Sequence, residues 1–154
     1  MVDYRSDKDN YYLNIADSVS LRSTCLRKHY GAIIVSNDEI ISTGYNGAPR
    51  GRKNCTDICR CEREEQMIPS GERYELCRSV HAEANAIISA SRREMLGSTL
   101  YLAGWDAKTG LAIHNPACCS MCRRLIINAG IERVRTKEEN ILVRDWIIFD
   151  DTTG

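Results

Sequence analysis

His81-Ala82-Glu83-Ala84-Asn85-Ala86-Ile87-Ile88, followed beyond one apolar segment by Cys119-Ser120-Met121-Cys122, is the part of this sequence that organises the rest. Both stretches open segments with helical character. Residues 82–91 are rich in alanine, the strongest helix former, and residues 119–129 place Met121, Leu125 and Ile126 at helical spacing before Gly130, a residue suited to a left-handed cap. Between them, residues 99–103 (Thr-Leu-Tyr-Leu-Ala) read as a strand. Each motif therefore stands at the entrance of a helix, with a strand separating the two.

That placement has chemical consequences. Cys119 and Cys122 lie three apart on one helical face, and the amide dipoles at the helix start favour thiolate over thiol. His81 and Glu83 would diverge in mid-helix, but at a helix entrance both can point at an ion beyond its end. The spacing makes His81, Cys119 and Cys122 a three-ligand zinc set whose fourth position is left to water, as in catalytic and not closed structural sites. Glu83 then serves as the base. Two thiolates cancel the charge of the ion, so it acidifies its water less than a three-histidine site would and the carboxylate carries more of the proton transfer. Neither motif is specific alone: Cys-x-x-Cys also marks zinc knuckles and redox pairs, and an isolated His-x-Glu is close to noise. His29 and His114 have no carboxylate two residues on and read as surface or hydrogen-bonding histidines.

Upstream, apolar positions across residues 11–21 recur every three or four, as in an opening helix with one buried face. Ala32-Ile33-Ile34-Val35 and Ile40-Ile41-Ser42-Thr43 flank Asn37-Asp38 and read as a β-hairpin. Residues 44–79 carry Gly, Pro, charge and four cysteines without sustained periodicity, so a loop of this length needs something to order it. Residues 131–136 predict a further strand, and residues 138–149 either a final amphipathic helix or, at Trp146-Ile147-Ile148-Phe149, a strand. This order implies one α/β domain over residues 1–154, with a mixed sheet covered by helices.

The bulk properties agree with one core and narrow the partners. A chain of 154 residues buries about 70% of its unfolded surface. The 21 basic residues balance 21 acidic ones, so there is no basic field for nucleic acid, and small-molecule substrates are favoured. No apolar run approaches the length of a membrane span and the N-terminus has no secretory h-region, so the expectation is a cytoplasmic protein. Eight cysteines in a reducing compartment read as metal ligands or catalytic groups, and their split into a dispersed and a tight set suggests two sites.

His-x-Glu with a later Cys-x-x-Cys is the signature of zinc deaminases. Beyond it, the chain resembles the deoxycytidylate (dCMP) deaminases of the cytidine/deoxycytidylate deaminase family. The matching stretches are Cys25 with Tyr30-Gly-Ala-Ile-Ile-Val35, then Ser42-Thr-Gly-Tyr-Asn-Gly-Ala-Pro-Arg-Gly51, His81-Ala-Glu-Ala-Asn-Ala-Ile87, and Cys119-Ser-Met-Cys122 running into Leu125-Ile-Ile-Asn-Ala-Gly-Ile131. The Gly-Tyr-Asn-Gly turn is the specific feature. The resemblance implies a cytidine-deaminase-like three-layer α/β/α fold with a mixed five-stranded sheet, a homo-oligomer that is often a hexamer, and hydrolysis of dCMP to dUMP and ammonia. A zinc-bound hydroxide would attack C4 while Glu83 passes the water proton to N3 and later protonates the departing ammonia. It further implies that Asn46 contacts the deoxyribose and that the backbone of Ala82 receives the pyrimidine carbonyl. Asn in a glycine-rich turn has an equally good structural reading. For the phosphate, Arg27 and Lys28 are candidates, with Arg50 competing. Feedback by dCTP and dTTP, with the turn at residues 44–51 in the effector site, is also implied.

Two departures stand out. Where the family has Pro immediately before the first zinc cysteine, this chain has Cys118, which opens a register ambiguity between Cys118 and Cys119. Cys59 stands where related chains tend to have Gly. Some members hold a second, structural zinc near Cys25 and Cys55. Here Cys25, Cys55, Cys61 and Cys77 would make a closed four-cysteine site pinning the long loop to the core, against the reading that they are buried free thiols. The competing functions are a deaminase of another base (dCTP, cytidine, or adenosine in tRNA) and a non-catalytic zinc module that senses a nucleotide.

Overall fold

Strand β1 (Lys28–Ser36) is the centre of the molecule. In the computed structural model, which describes residues 4–148, its alternating side chains send Ala32 and Ile34 into one core and Ile33 and Val35 into another. It pairs antiparallel with β2 (Glu39–Tyr45) across a turn in which Asn37 and Asp38 both have positive φ, at 51° and 62°, as the twist of a tight hairpin demands. On its other side β1 pairs antiparallel with β3 (Thr99–Asp106). Strand β4 (Arg133–Arg135) runs parallel to β3, and β5 (Asn140–Leu142) runs antiparallel to β4. The result is the expected mixed sheet of five strands, in the order β2-β1-β3-β4-β5.

Helix α1 (Lys8–Ser20) covers the face that carries Ile33, Val35, Tyr101 and Ala103 by burying Tyr12, Leu13 and Ala16. It begins earlier than the apolar spacing predicts because Asp7 caps it, its side chain accepting from the Asn10 amide at 2.9 Å. Its approach to β1 leaves no room for a side chain at Gly31, where a Cβ would lie 2.0 Å from the Ala16 carbonyl oxygen.

The long connection after β2 forms two single-turn helices, α2 (Cys55–Ile58) and α3 (Glu62–Glu65), and a 3-10 turn at Tyr74–Leu76. Its two ends are tied by a pair of backbone hydrogen bonds between Gly47 and Val80, at 3.1 and 2.7 Å. From there α4 (Ala82–Ile88), α5 (Arg92–Met95) and α6 (Ser120–Ala129) pack Ala82, Ala86, Met95, Cys122 and Ile126 against Ala32, Ile34, Leu100, Leu102 and Val134. Three layers follow: α1, the sheet, and α4 to α6. Gly130, at φ 81°, ends α6 in the left-handed conformation that the sequence predicts.

Residues 138–149 differ from expectation. Among the described residues, 138–148, no long helix forms: β5 takes Asn140–Leu142, and a single 3-10 turn at Val143–Asp145 follows. Strand β4 would otherwise end the sheet with unpaired N–H and C=O groups, and pairing that edge outweighs the modest helical spacing. Trp146, Ile147 and Ile148 are not in a strand, and Phe149 lies outside the described residues. Among the described residues no helix is long and apolar enough to cross a membrane.

Candidate active site

Two helix entrances face each other below the ends of β1 and β3. His81 is the N-cap of α4 and Cys119 the N-cap of α6, both with extended backbone, so their side chains leave the helices in the direction of the free amides. The Cys119 sulfur accepts from the Cys122 amide at 3.4 Å. His81 Nδ1 stands 3.5 Å from the Cys119 sulfur and 3.4 Å from that of Cys122. Among the described residues this trio alone brings three metal-ligand atoms within 4.8 Å of one another.

The donor set fits zinc. Bonds of about 2.0 Å to nitrogen and about 2.3 Å to sulfur, arranged tetrahedrally, put ligand atoms about 3.5 Å apart. The electrostatics point the same way. The contact with Cys122 pulls the Cys119 thiol below its ordinary range, and the same contact raises Cys122. The Cys119 thiolate in turn raises His81. Negative charge is thus gathered at a spot sheltered by two helix starts and backed by an imidazole.

Glu83, the second residue of α4, is 5% exposed. Burial raises its pKa above the ordinary carboxylate range. Its side chain meets the thiol of Cys118, which is itself buried and pushed up first by that burial and then by the Glu83 charge. The two neighbouring cysteines therefore part company: the Cys119 sulfur turns to His81 and Cys122, and that of Cys118 to Glu83.

A cavity of about 100 Å³ opens onto these groups, lined among others by His81, Glu83, Cys119, Asn46, Arg27 and Lys28. Arg27 is engaged by Glu64 at 3.2 Å, while Arg50 is exposed on the turn and does not line the cavity. Asn46 is buried and its amide already closes the strand ends, accepting from the Tyr30 N–H and donating to the Lys28 carbonyl, both at 2.8 Å. One of its amide hydrogens is left for the cavity. Ala82 is fully buried as the first residue of α4, where its N–H has no partner within the helix. It is held there by the close passage of β2, because a Cβ at Gly44 would lie 2.4 Å from the Ala82 oxygen. His29 Nε2 donates to the Cys25 carbonyl, 2.7 Å away, and His114 is an exposed partner of Glu138.

The family model of the cytidine and deoxycytidylate deaminase zinc-binding region matches residues 6–138. The chain belongs to that family. It is 36% identical over 140 residues to the deoxycytidylate deaminase of Mycobacterium phage D29, covering 88% of this chain and 98% of the relative. Against the deoxycytidylate deaminase of Schizosaccharomyces pombe it is 34% identical over 99 residues, which are 64% of this chain but only 30% of that longer protein. The dCMP deaminase of cyanophage S-TIM5, solved with dCMP and dUMP, superposes with a TM-score of 0.58 at 27% identity, covering 86% of this chain and 83% of that one. The chain is a zinc-binding deaminase with the fold of these enzymes.

Within that family two features of this chain escape a reading of the sequence. Arg63 and Tyr74, from the aperiodic connection, line the cavity: the Arg63 guanidinium lies 4.4 Å from the centre of the Tyr74 ring, and the Tyr74 and His81 rings stand perpendicular with centres 4.7 Å apart. No periodicity singles them out. The other cysteines are neighbours without forming a ligand shell. Burial raises Cys55 and the nearby Cys25, Cys77 and Cys61 add to it, yet no three of these sulfurs lie within 4.8 Å of one another, and Cys25 and Cys77 line the cavity. Cys59 is exposed and left-handed at φ 54°, a backbone conformation that Gly adopts without steric cost.

Proposed function

We propose that this chain hydrolyses dCMP to dUMP and ammonia. The observation that carries the proposal is the convergence of His81, Cys119 and Cys122 on one point with a buried carboxylate, Glu83, beside it. Zinc held by the three ligand atoms supplies, when bound, a Lewis acid with an open position for an acidified water. Glu83 would accept one proton from the water as its oxygen adds to C4 and deliver it to N3 of the pyrimidine; it would then take the second proton, from the new C4 hydroxyl, and pass it to the amino group as the C4–N bond breaks and ammonia leaves. Its raised pKa suits both directions of transfer. The N–H of Ala82 receives the pyrimidine carbonyl, the remaining amide hydrogen of Asn46 the deoxyribose, and the cations Arg27 and Lys28 the phosphate. Support for a nucleotide comes from the D29 and S-TIM5 relatives and from these cations in the cavity.

The remaining assignments belong to the same proposal. A second, structural zinc at Cys25, Cys55, Cys61 and Cys77 is supported by their proximity, and requires their sulfurs to close up on binding. We place the enzyme in the cytoplasm, in line with eight free thiols, as one domain assembled into a homo-oligomer such as a hexamer and regulated by dCTP and dTTP. The test is ammonia release from dCMP, dCTP and cytidine side by side. Preferential turnover of dCMP supports the assignment; preference for cytidine or dCTP, or no release from any of them, overturns it.

A further inference from the structure

We propose that Arg63 is a specificity-determining residue that reads an anionic group, the 5′-phosphate, on a cytosine nucleotide; this rests on the nucleotide reading above. Arg63 is the one cation at this cavity that is almost fully buried, at 6% exposed, and among the described residues no carboxylate pairs with it. A guanidinium removed from water without a counter-ion is costly, and a bound anion relieves that cost.

The residue is also pre-aimed. Its Nε donates to the Glu72 carbonyl at 3.0 Å and one Nη to the Pro69 carbonyl at 3.3 Å, while its plane rests on Tyr74. These contacts use two of its five N–H groups and fix the fork, leaving the rest of it to the cavity. The Ser79 hydroxyl, which also lines the cavity, is buried with no hydrogen-bond partner and offers a second donor to the same anion. Tyr74 touches both the guanidinium and His81, so the proposed phosphate reader and the metal trio meet in one cavity through that ring. Arg27, which shares its charge with Glu64, and Lys28 line the same cavity, so Arg63 adds to them a cation that no carboxylate offsets.

The experiment compares kcat/KM for dCMP and for deoxycytidine, which lacks the phosphate, in wild type, Arg63→Gln and Arg63→Lys. The ratio within each protein does not depend on the fraction folded. We expect wild type to favour dCMP and the ratio to fall about 10- to 100-fold in Arg63→Gln, as for loss of hydrogen bonds to a charged group, with Arg63→Lys in between. An unchanged ratio, or an equal loss on both substrates up to complete inactivity, would overturn the role of Arg63 and make it a brace of the connection. A wild-type ratio near one would instead overturn the nucleotide reading itself.

Discussion

The two halves of the site are built differently. His81, Glu83, Cys119 and Cys122 are held by the starts of α4 and α6, which are packed against the sheet with Ala82, Ala86 and Ile126 fully buried. Arg63 and Tyr74 come from a connection of short turns whose order rests on a backbone tie at its base and on the hydrogen bonds of Arg63 itself. The proposed chemistry is thus mounted on elements packed against the sheet, where a displacement of an ångström is expensive, and the proposed reader of the phosphate, Arg63, on a connection of short turns.

The contrast breaks most visibly at the adjacent cysteines. Cys119→Ser or Cys122→Ser should remove zinc and with it ammonia release, while Cys118→Ser should keep one tightly bound zinc per catalytic site, since its sulfur faces Glu83. Metal analysis of the three variants decides it, and zinc loss in Cys118→Ser alone would reverse the register. Next in size, Gly44→Ala should cost about 3 kcal/mol in urea unfolding, because the new methyl meets backbone of α4 and cannot be accommodated by a side-chain rotation. A cost below 1 kcal/mol would mean that α4 is not rigidly seated.

On the far face of the sheet, Tyr12 of α1 donates to Asp38 in the turn of the hairpin, which raises its pKa to about 12. A raised folded-state value means that the stabilisation is complete below the unfolded value near 10 and is lost as the pH climbs to 12. The stability difference between wild type and Tyr12→Phe should therefore shrink over that window; a difference constant with pH would contradict the contact. The smallest effect belongs to the connection. Cys59→Gly relieves a left-handed residue and should stabilise by about 0.5–1 kcal/mol, checked by thermal unfolding.

The same contrast governs what could be read from the sequence. The β1–β2 hairpin, the strand at β3 and the helices α4 and α6 announce themselves by period and by their caps, and the metal trio follows because its members stand at helix entrances. Arg63 and Tyr74 could not be found in this way, since their meeting depends on turns of four residues or fewer with no periodic face. The C-terminal segment misled for a related reason: an open edge at β4, a property of the assembled sheet, decided its structure more than its own spacing did.

The central claim is that Glu83 moves the protons at a centre held by His81, Cys119 and Cys122. It is tested most directly by Glu83→Gln, assayed for ammonia release from dCMP and for zinc in the same preparation. Turnover should fall by about 10³- to 10⁴-fold with zinc content unchanged. Turnover within tenfold of wild type, or loss of zinc along with activity, would contradict it.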